Sequence, residues 1–89
     1  MMPALICLGD ATTHGGKVIS ASSSMFINGI QVALVDDLIS CPIPGHGTNR
    51  IIEGEPTATE EGISIVVDGC LCECGCRVIS SHIENSIES

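Results

Sequence analysis

A threefold internal repeat is the feature that most restricts what this chain can fold into. All three basic residues of the chain stand directly before a Val-Ile or Ile-Ile pair, a few positions after a histidine or a cysteine. The three copies are His14–Ile19, His46–Ile52 and Cys74–Ile79. Because repeats of one structural unit bury their apolar faces against one another, the pattern predicts three similar units packed together.

A second alignment extends the repeat upstream. His14, Cys41 and Cys74 occupy the same place in three similar segments, 27 and then 33 positions apart. Gly29-Ile30 and Gly62-Ile63 repeat the 33-residue offset. If the three repeats surround one axis, these metal-binding side chains meet on that axis.

The loop from Cys41 to Gly47 adds a fourth candidate ligand. It reads Cys-Pro-Ile-Pro-Gly-His-Gly, and no helix can pass through it, because proline fixes φ and glycine permits unusual φ. The middle repeat therefore carries an insertion with a ligand on each side. Two imidazoles and two thiolates suit one closed tetrahedral zinc site with a structural role. The four predicted ligands are His14, Cys41, His46 and Cys74.

The composition explains why such a chain needs a metal. At 89 residues it forms one small domain, and a core of this size rarely supplies more than about 3–5 kcal/mol. There is one Phe and no Tyr or Trp, so large aromatic side chains are nearly missing. The apolar residues are mostly Ile and Val, which favour strands, and no segment shows sustained helical spacing. The predicted fold class is all-β, with many short strands and glycine-rich loops.

The clearest strand prediction is a hairpin at Met25–Val35. Two apolar runs flank Asn28-Gly29 there, which is typical of a type I′ turn. Further extended segments are predicted at 3–8, 18–19, 50–52, 63–67 and 77–80. Residues 10–16 and 36–47 are predicted loops, and 53–61 a polar, acidic connection. A domain at 1–80 is followed by a short polar tail at 81–89.

Charge and the N-terminal sequence limit the partners and the compartment. A formal charge of −8 argues against nucleic acid or an anionic membrane as partner. The N-terminus lacks the basic region and the apolar segment of a signal peptide, and no run approaches the ~20 apolar residues of a membrane span. The six cysteines are therefore expected to be made in a reducing compartment, which favours metal binding over disulfides.

Four alternating cysteines permit a second interpretation, because alternate residues of a strand share a face. They are Cys70, Cys72, Cys74 and Cys76. Together they allow a local four-cysteine metal or iron–sulfur site in a free-standing metal-binding or redox protein. Alternatively, all but Cys74 are small core residues or form one disulfide. A flat strand spaces alternate Cα atoms by about 6.6–6.8 Å, which fits poorly around one ion.

Three other features have a structural and a functional interpretation. Cys7 lies in an apolar run and is expected in the core, and His82 is expected to be solvated rather than a ligand. Cys41 with His46 would suit a Cys–His nucleophile pair, but no third group orients them, so no enzyme is predicted. The three basic residues are expected to surround one level of the fold and to pair with acidic residues of the neighbouring repeat.

The motifs in combination resemble those of a PAAR-repeat protein. They are Gly9-Asp10-Ala-Thr-Thr-His14-Gly-Gly, the Cys41-Pro…His46-Gly loop and Cys74-Gly-Cys-Arg-Val-Ile-Ser, and the resemblance covers nearly all of residues 2–80. It implies a small cone of short antiparallel strands and hairpins with pseudo-threefold symmetry. It also implies that the loops converge on an apical zinc ion, held at the positions of His14, Cys41, His46 and Cys74.

The resemblance implies a structural role as well. PAAR proteins cap the trimeric VgrG spike of type VI secretion systems, and similar tips occur on contractile phage tails, with one chain per trimer. Such a protein would be a monomer on its own, made in the bacterial cytoplasm and exported on the spike for membrane puncture and effector delivery. The chain ends shortly after its last motif, so a tip without its own effector domain is expected. Asp36-Asp37 and Gly69-Cys70 depart from the Gly-Asp of the first repeat, so those turns are expected to differ in detail.

Overall fold

The computed structural model describes residues 4–81, and all regular structure in that range is β. The strands are β1 (Ala11–Thr12), β2 (Lys17–Val18), β3 (Phe26–Ile27), β4 (Ile30–Gln31), β5 (Leu38–Cys41), β6 (Gly47–Arg50), β7 (Glu55–Glu60), β8 (Ile63–Ile65) and β9 (Val78–Ile79). The predicted all-β class is confirmed. Across the described part of the chain, no helix has the length and apolar character needed to cross a membrane. The predicted tail falls almost entirely outside the described residues.

The main sheet closes on itself. Its five antiparallel strands run in the order β6-β5-β2-β1-β9. Leu71 pairs with Arg77, which directly precedes β9. The residue after Leu71, Cys72, pairs with Ile51, which directly follows β6. Leu71 and Cys72 therefore join the two edge strands, and the sheet encloses a central axis.

A cycle of three backbone hydrogen bonds defines the pseudo-threefold axis. Ile6 N donates to Val66 O (3.0 Å), Val66 N to Ala33 O (3.1 Å) and Ala33 N to Ile6 O (2.8 Å). These residues are spaced by the 27 and 33 positions of the sequence repeat, and all three are fully buried. Each repeat thus donates to one neighbour and accepts from the other, which confirms the predicted arrangement around one axis.

The turn that follows Ile6, Ala33 and Val66 has the same conformation in all three repeats. Gly9, Asp36 and Gly69 have φ of 91°, 80° and 89°. In each, the following residue donates its N–H back to a carbonyl three positions earlier, at 3.0–3.2 Å. The expected difference between these turns is therefore wrong for the backbone, since Asp36 adopts the left-handed conformation that Asp tolerates better than most residues. The side chains do differ, because Asp10 and Asp37 each accept a hydrogen bond from the N–H three positions earlier, whereas the equivalent residue of the third turn is Cys70.

The core consists of small and β-branched side chains in threefold sets. Val18, Ile51 and Val78 are equivalent positions, and each is at most 2% exposed. Thr12, Ile39 and Cys72 form a second set of buried, equivalent positions. Three side chains that meet on one axis leave no room for large rings, which explains how a chain with a single Phe still fills its interior.

Two hairpins extend from the closed sheet, one from each of the last two repeats. In the first, β3 pairs with β4, and Asn28 and Gly29 have φ of 52° and 81°, as the predicted type I′ turn requires. In the second, β7 pairs with β8 across Glu61 and Gly62, at 52° and 84°.

Three segments predicted to lack strands contain them, and the first is the predicted loop at 10–16, which contains β1. The prediction of a connection at 53–61 is wrong, because Glu55–Glu60 is the longest strand. The segment begins and ends with a glutamate, and its strand character becomes evident only from its pairing with β8. The predicted loop at 36–47 contains β5, which pairs with both β2 and β6.

The three basic residues lie at one level of the sheet, as predicted. Their backbones pair with the next repeat around the axis: Thr13 N donates to Arg77 O and Glu73 N to Arg50 O, each at 2.8 Å, and Lys17 pairs with Ser40. The Arg77 guanidinium lies 3.6 Å from Glu53, and Arg50 pairs with Asp36 at 2.5 Å and with Glu73 at 3.8 Å. Within residues 4–81, Lys17 has no ion pair. These pairs are half exposed, so solvent screens them and they add little to stability.

Replacement of Asp37 by Ala should destabilise the protein by about 2–3 kcal/mol, the range for hydrogen bonds to a buried charged group. Its carboxylate is 6% exposed and accepts bonds from Leu34 N (2.7 Å), from Ser22 N and Oγ (2.9 and 3.0 Å) and from Ser20 Oγ (3.1 Å). Denaturant unfolding at fixed metal concentration measures the change. Exposed Glu73→Ala is the control and should change stability by no more than about 0.5 kcal/mol; equal losses in both variants would contradict the assignment.

Candidate metal centre

Four side chains from three repeats converge at one end of the axis. They are His14 in the turn after β1, Cys41 at the end of β5, His46 just before β6, and Cys74 in the turn before β9. Their ligand atoms all lie within 4.8 Å of one another. The structure thus brings together all four residues that the sequence singled out, in a cluster that could hold a metal ion.

The spacing of the ligand atoms fits a tetrahedral metal. Cys41 Sγ lies 3.5 Å from His14 Nδ1 and 3.4 Å from His46 Nδ1. In a tetrahedral site with metal–sulfur and metal–nitrogen bonds of about 2.3 and 2.0–2.1 Å, the sulfur and the nitrogen are about 3.6 Å apart. The two imidazole rings are tilted by 45° with centroids 5.6 Å apart. Both nitrogens can therefore face the same point as the Cys41 sulfur.

Matching turns place His14 and Cys74. Gly15 and Gly75 follow them with φ of 88° and 98°, and each donates its N–H to a carbonyl three residues earlier, at 3.0 and 2.9 Å. A side chain at either glycine would be strained in this conformation. The repeated glycine therefore turns each chain sharply at the ligand and aims its side chain at the axis.

The middle repeat uses a longer hairpin at the same place. Cys41 pairs with Gly47 at the end of β5 and β6, and His46 N donates to Ile43 O at 3.0 Å. The loop between the strands holds Cys41 at its start and His46 at its end. The insertion thus gives the middle repeat two of the four clustered side chains.

Asn49 fixes the backbone of Cys74 through a hydrogen bond, a role that the sequence did not predict. Its side chain is 9% exposed, and its Oδ1 accepts a hydrogen bond from Cys74 N at 3.1 Å. A signal was available, because Asn49 directly precedes Arg50 and thus occupies the place of Gly16 and Cys76 in the other repeats. The bond links the middle and third repeats beside two of the candidate ligands.

The Cys74 thiol is held in a form suited to metal binding. Burial raises its pKa, but hydrogen bonds from the backbone and side chain of Cys76, and from the side chains of Asn49 and Cys41, outweigh this and lower the pKa to about 6. Cys74 is therefore mainly a thiolate at neutral pH. A thiolate is the form in which cysteine binds metals.

The remaining cysteines belong to the core. Cys7, Cys70, Cys72 and Cys76 are free thiols and are 0–7% exposed. Burial raises the pKa of Cys72, as is typical of an inert structural thiol. Among residues 4–81, the only cluster of three or more His, Cys, Asp or Glu side chains that could hold a metal ion is the one at the axis. The local four-cysteine site is therefore wrong, while the core interpretation of Cys7 and of the other three is confirmed. His82 lies outside the described residues.

Comparison with known proteins identifies a family. No curated protein matches the chain. The family model described as PAAR motif matches residues 8–80, which include all three repeats, both hairpins and the four side chains at the axis. Since the match covers most of the 89 residues, the chain belongs to the PAAR-motif family.

Proposed function

We propose that this protein is the tip of a contractile injection spike, seated as a single chain on a trimeric VgrG-type protein of a type VI secretion system or a related tail. The PAAR family in general sits at such spikes. The observation that carries the proposal is the cycle of backbone hydrogen bonds through Ile6, Ala33 and Val66. Through it, one chain presents three similar faces around one axis, as a trimeric partner requires of a single cap.

The two hairpins supply the surface for the spike. Phe26 is 60% exposed, Ile30 40% and Ile63 45%, and Ile30 and Ile63 are equivalent positions in the repeat. Exposed apolar side chains grouped on hairpins are typical of a protein contact. The hairpin strands are also available to extend the partner's β-structure by strand addition.

Zinc is the metal that best fits the opposite end. Two thiolates and two imidazoles at tetrahedral spacing are a donor set that zinc prefers. His14, Cys41, His46 and Cys74 fill every position of such a site, so no water is activated and the role is structural. Zinc contributes about 10–16 kcal/mol of apparent binding energy in small zinc-folded peptides. Here the four ligands would hold all three repeats together at one end of the axis.

The loop between Cys41 and His46, beside the proposed zinc site, has the composition expected of a rigid tip. Pro42, Ile43 and Pro44 are all exposed and uncharged, and the two prolines restrict the backbone. In the proposed role the protein contributes stiffness and shape, with no catalytic step. It is made in the bacterial cytoplasm and leaves the cell on the spike when the sheath contracts.

Metal analysis tests the zinc site. The purified protein should contain one zinc per chain, and His14→Ala or Cys74→Ala should lose the zinc and unfold at a much lower temperature. Elemental mass spectrometry and thermal unfolding measure both effects. Cys7→Ala is the matched control, because it removes a buried cysteine from a cluster away from the site. It should keep its zinc and cost only about 1–3 kcal/mol. Two or more metal ions per chain, or zinc retained in both ligand variants, would favour a free-standing metal-binding protein instead.

Complex formation with the VgrG-type trimer of the same genome tests the docking surface. One chain should bind per trimer, and Phe26→Asp with Ile63→Asp should weaken binding at least tenfold, because burial of each side chain is worth about 1.5–3 kcal/mol. Light scattering gives the stoichiometry and interferometry the affinity. Ile43→Asp changes an exposed apolar residue at the opposite end and should bind like the parent protein. Three chains per trimer would exclude the cap.

A further inference from the structure

Cys76 is buried and is not one of the four candidate ligands, but its sulfur is in contact with the sulfur of the candidate ligand Cys74. The Sγ atoms of Cys74 and Cys76 lie 3.5 Å apart, and both cysteines are free thiols. Cys74 is half-buried, whereas Cys76 is fully buried. An oxidant from solvent therefore reaches Cys74 first, and the resulting sulfur species already has a second thiol in contact.

The turn that holds the two sulfurs is fixed by the backbone. Cys72 N donates to Cys76 O at 2.8 Å and Gly75 N to Cys72 O at 2.9 Å. The first repeat makes the same turn, with Thr12 N bonded to Gly16 O at 3.0 Å. Because the equivalent residue there is a glycine, the turn itself does not require a sulfur at position 76. The thiol beside Cys74 is a distinct feature of the third repeat.

We propose that Cys74 and Cys76 form a modification site for peroxides, at which oxidation to a disulfide removes Cys74 from the metal centre. This inference rests on the proposed zinc site. The two sulfurs must approach by about 1.5 Å to reach the disulfide length of about 2.05 Å, while Gly75, the residue between them, has φ of 98° and the adaptable backbone of glycine.

One molecule of hydrogen peroxide accepts the two electrons that disulfide formation releases. The Cys74 thiolate attacks an oxygen of hydrogen peroxide, breaks the O–O bond and becomes a sulfenic acid, with release of hydroxide. The Cys76 sulfur then attacks the sulfur of that sulfenic acid, forms the S–S bond and expels a second hydroxide. The thiol proton of Cys76 and one proton from solvent convert both hydroxides to water. Two cysteine sulfurs are oxidised, and the peroxide is reduced by two electrons.

Cys76 is better placed for the second step than the other ligand thiol. Cys41 Sγ contacts both imidazoles at 3.4 and 3.5 Å, so it is held in the metal-binding set. Cys76 lies outside that set and stays a thiol when the site is filled. Once Cys74 is in the disulfide it offers no thiolate, and three ligands remain at the axis: His14, Cys41 and His46.

Hydrogen peroxide added to the zinc-loaded full chain tests the proposal. Zinc release is followed with a coloured chelator, and the disulfide is located by mass spectrometry of unreduced peptides. We expect zinc release together with a mass loss of about 2 Da in the peptide that joins Cys74 to Cys76. Treatment with a thiol reductant and zinc should restore the original zinc content. A disulfide at any other pair, or zinc release without a disulfide, overturns the proposal.

The variant Cys76→Ala distinguishes disulfide formation between Cys74 and Cys76 from oxidation of Cys74 alone. In Cys76→Ala, oxidised Cys74 has no resolving thiol and proceeds to the sulfinic acid, so a thiol reductant should no longer restore the zinc. Cys7→Ala should behave like the parent protein, and recovery in Cys76→Ala equal to that of the parent would contradict the assignment. If Cys76→Ala does not fold, the disulfide map of the parent protein still decides. If the reduced parent holds no zinc, the proposed metal site fails, while the disulfide map tests the pair separately.

Discussion

The structure depends on the cycle of backbone hydrogen bonds at its axis. Ile6, Ala33 and Val66 are fully buried, so their N–H and C=O groups have no access to water and must find partners within the protein. Each repeat satisfies one donor and one acceptor of its neighbours. A repeat on its own would leave buried polar groups unpaired, so the three repeats form one structural unit. The narrow axis also accounts for the composition, because three equivalent side chains meet at each level and only small or β-branched residues fit there.

The same symmetry brings the four candidate metal ligands together at one end of the axis. Turns that close in the same way in every repeat bring their tips to the axis, and a histidine or cysteine at each tip gives a cluster of ligands without any dedicated pocket. The insertion in the middle repeat converts three positions to four, the number that a tetrahedral ion needs. The candidate metal centre therefore lies at one end of the pseudo-threefold axis.

The repeat made the candidate site predictable, because positions that are equivalent in sequence occupy equivalent places around an axis. His14, Cys41, His46 and Cys74 could therefore be grouped although they are spread along most of the chain. Asn49 was missed, because an asparagine in a polar stretch has many structural roles and its bond to Cys74 N depends on a neighbouring repeat. β7 was missed for a related reason: its sequence is polar and acidic, and only its pairing with β8 across a type I′ turn makes it a strand. The alternation of Cys70, Cys72, Cys74 and Cys76 suggested a shared face, but only Cys74 lies in the cluster at the axis, and the other three are buried in the core.

The sequence by itself determined the all-β class, the threefold repeat, the Asn28-Gly29 turn and the identity of the four side chains at the axis. These follow from local rules: turn residues with positive φ, β-branched composition, and ligand types at recurring positions. The tertiary structure alone decided that Cys70, Cys72 and Cys76 are core residues rather than part of a local metal site, because burial depends on all three repeats at once. It also decided that the sulfurs of Cys74 and Cys76 touch. Spacing along the chain does not fix the distance between two side chains across a tight turn; only the backbone conformation of that turn does.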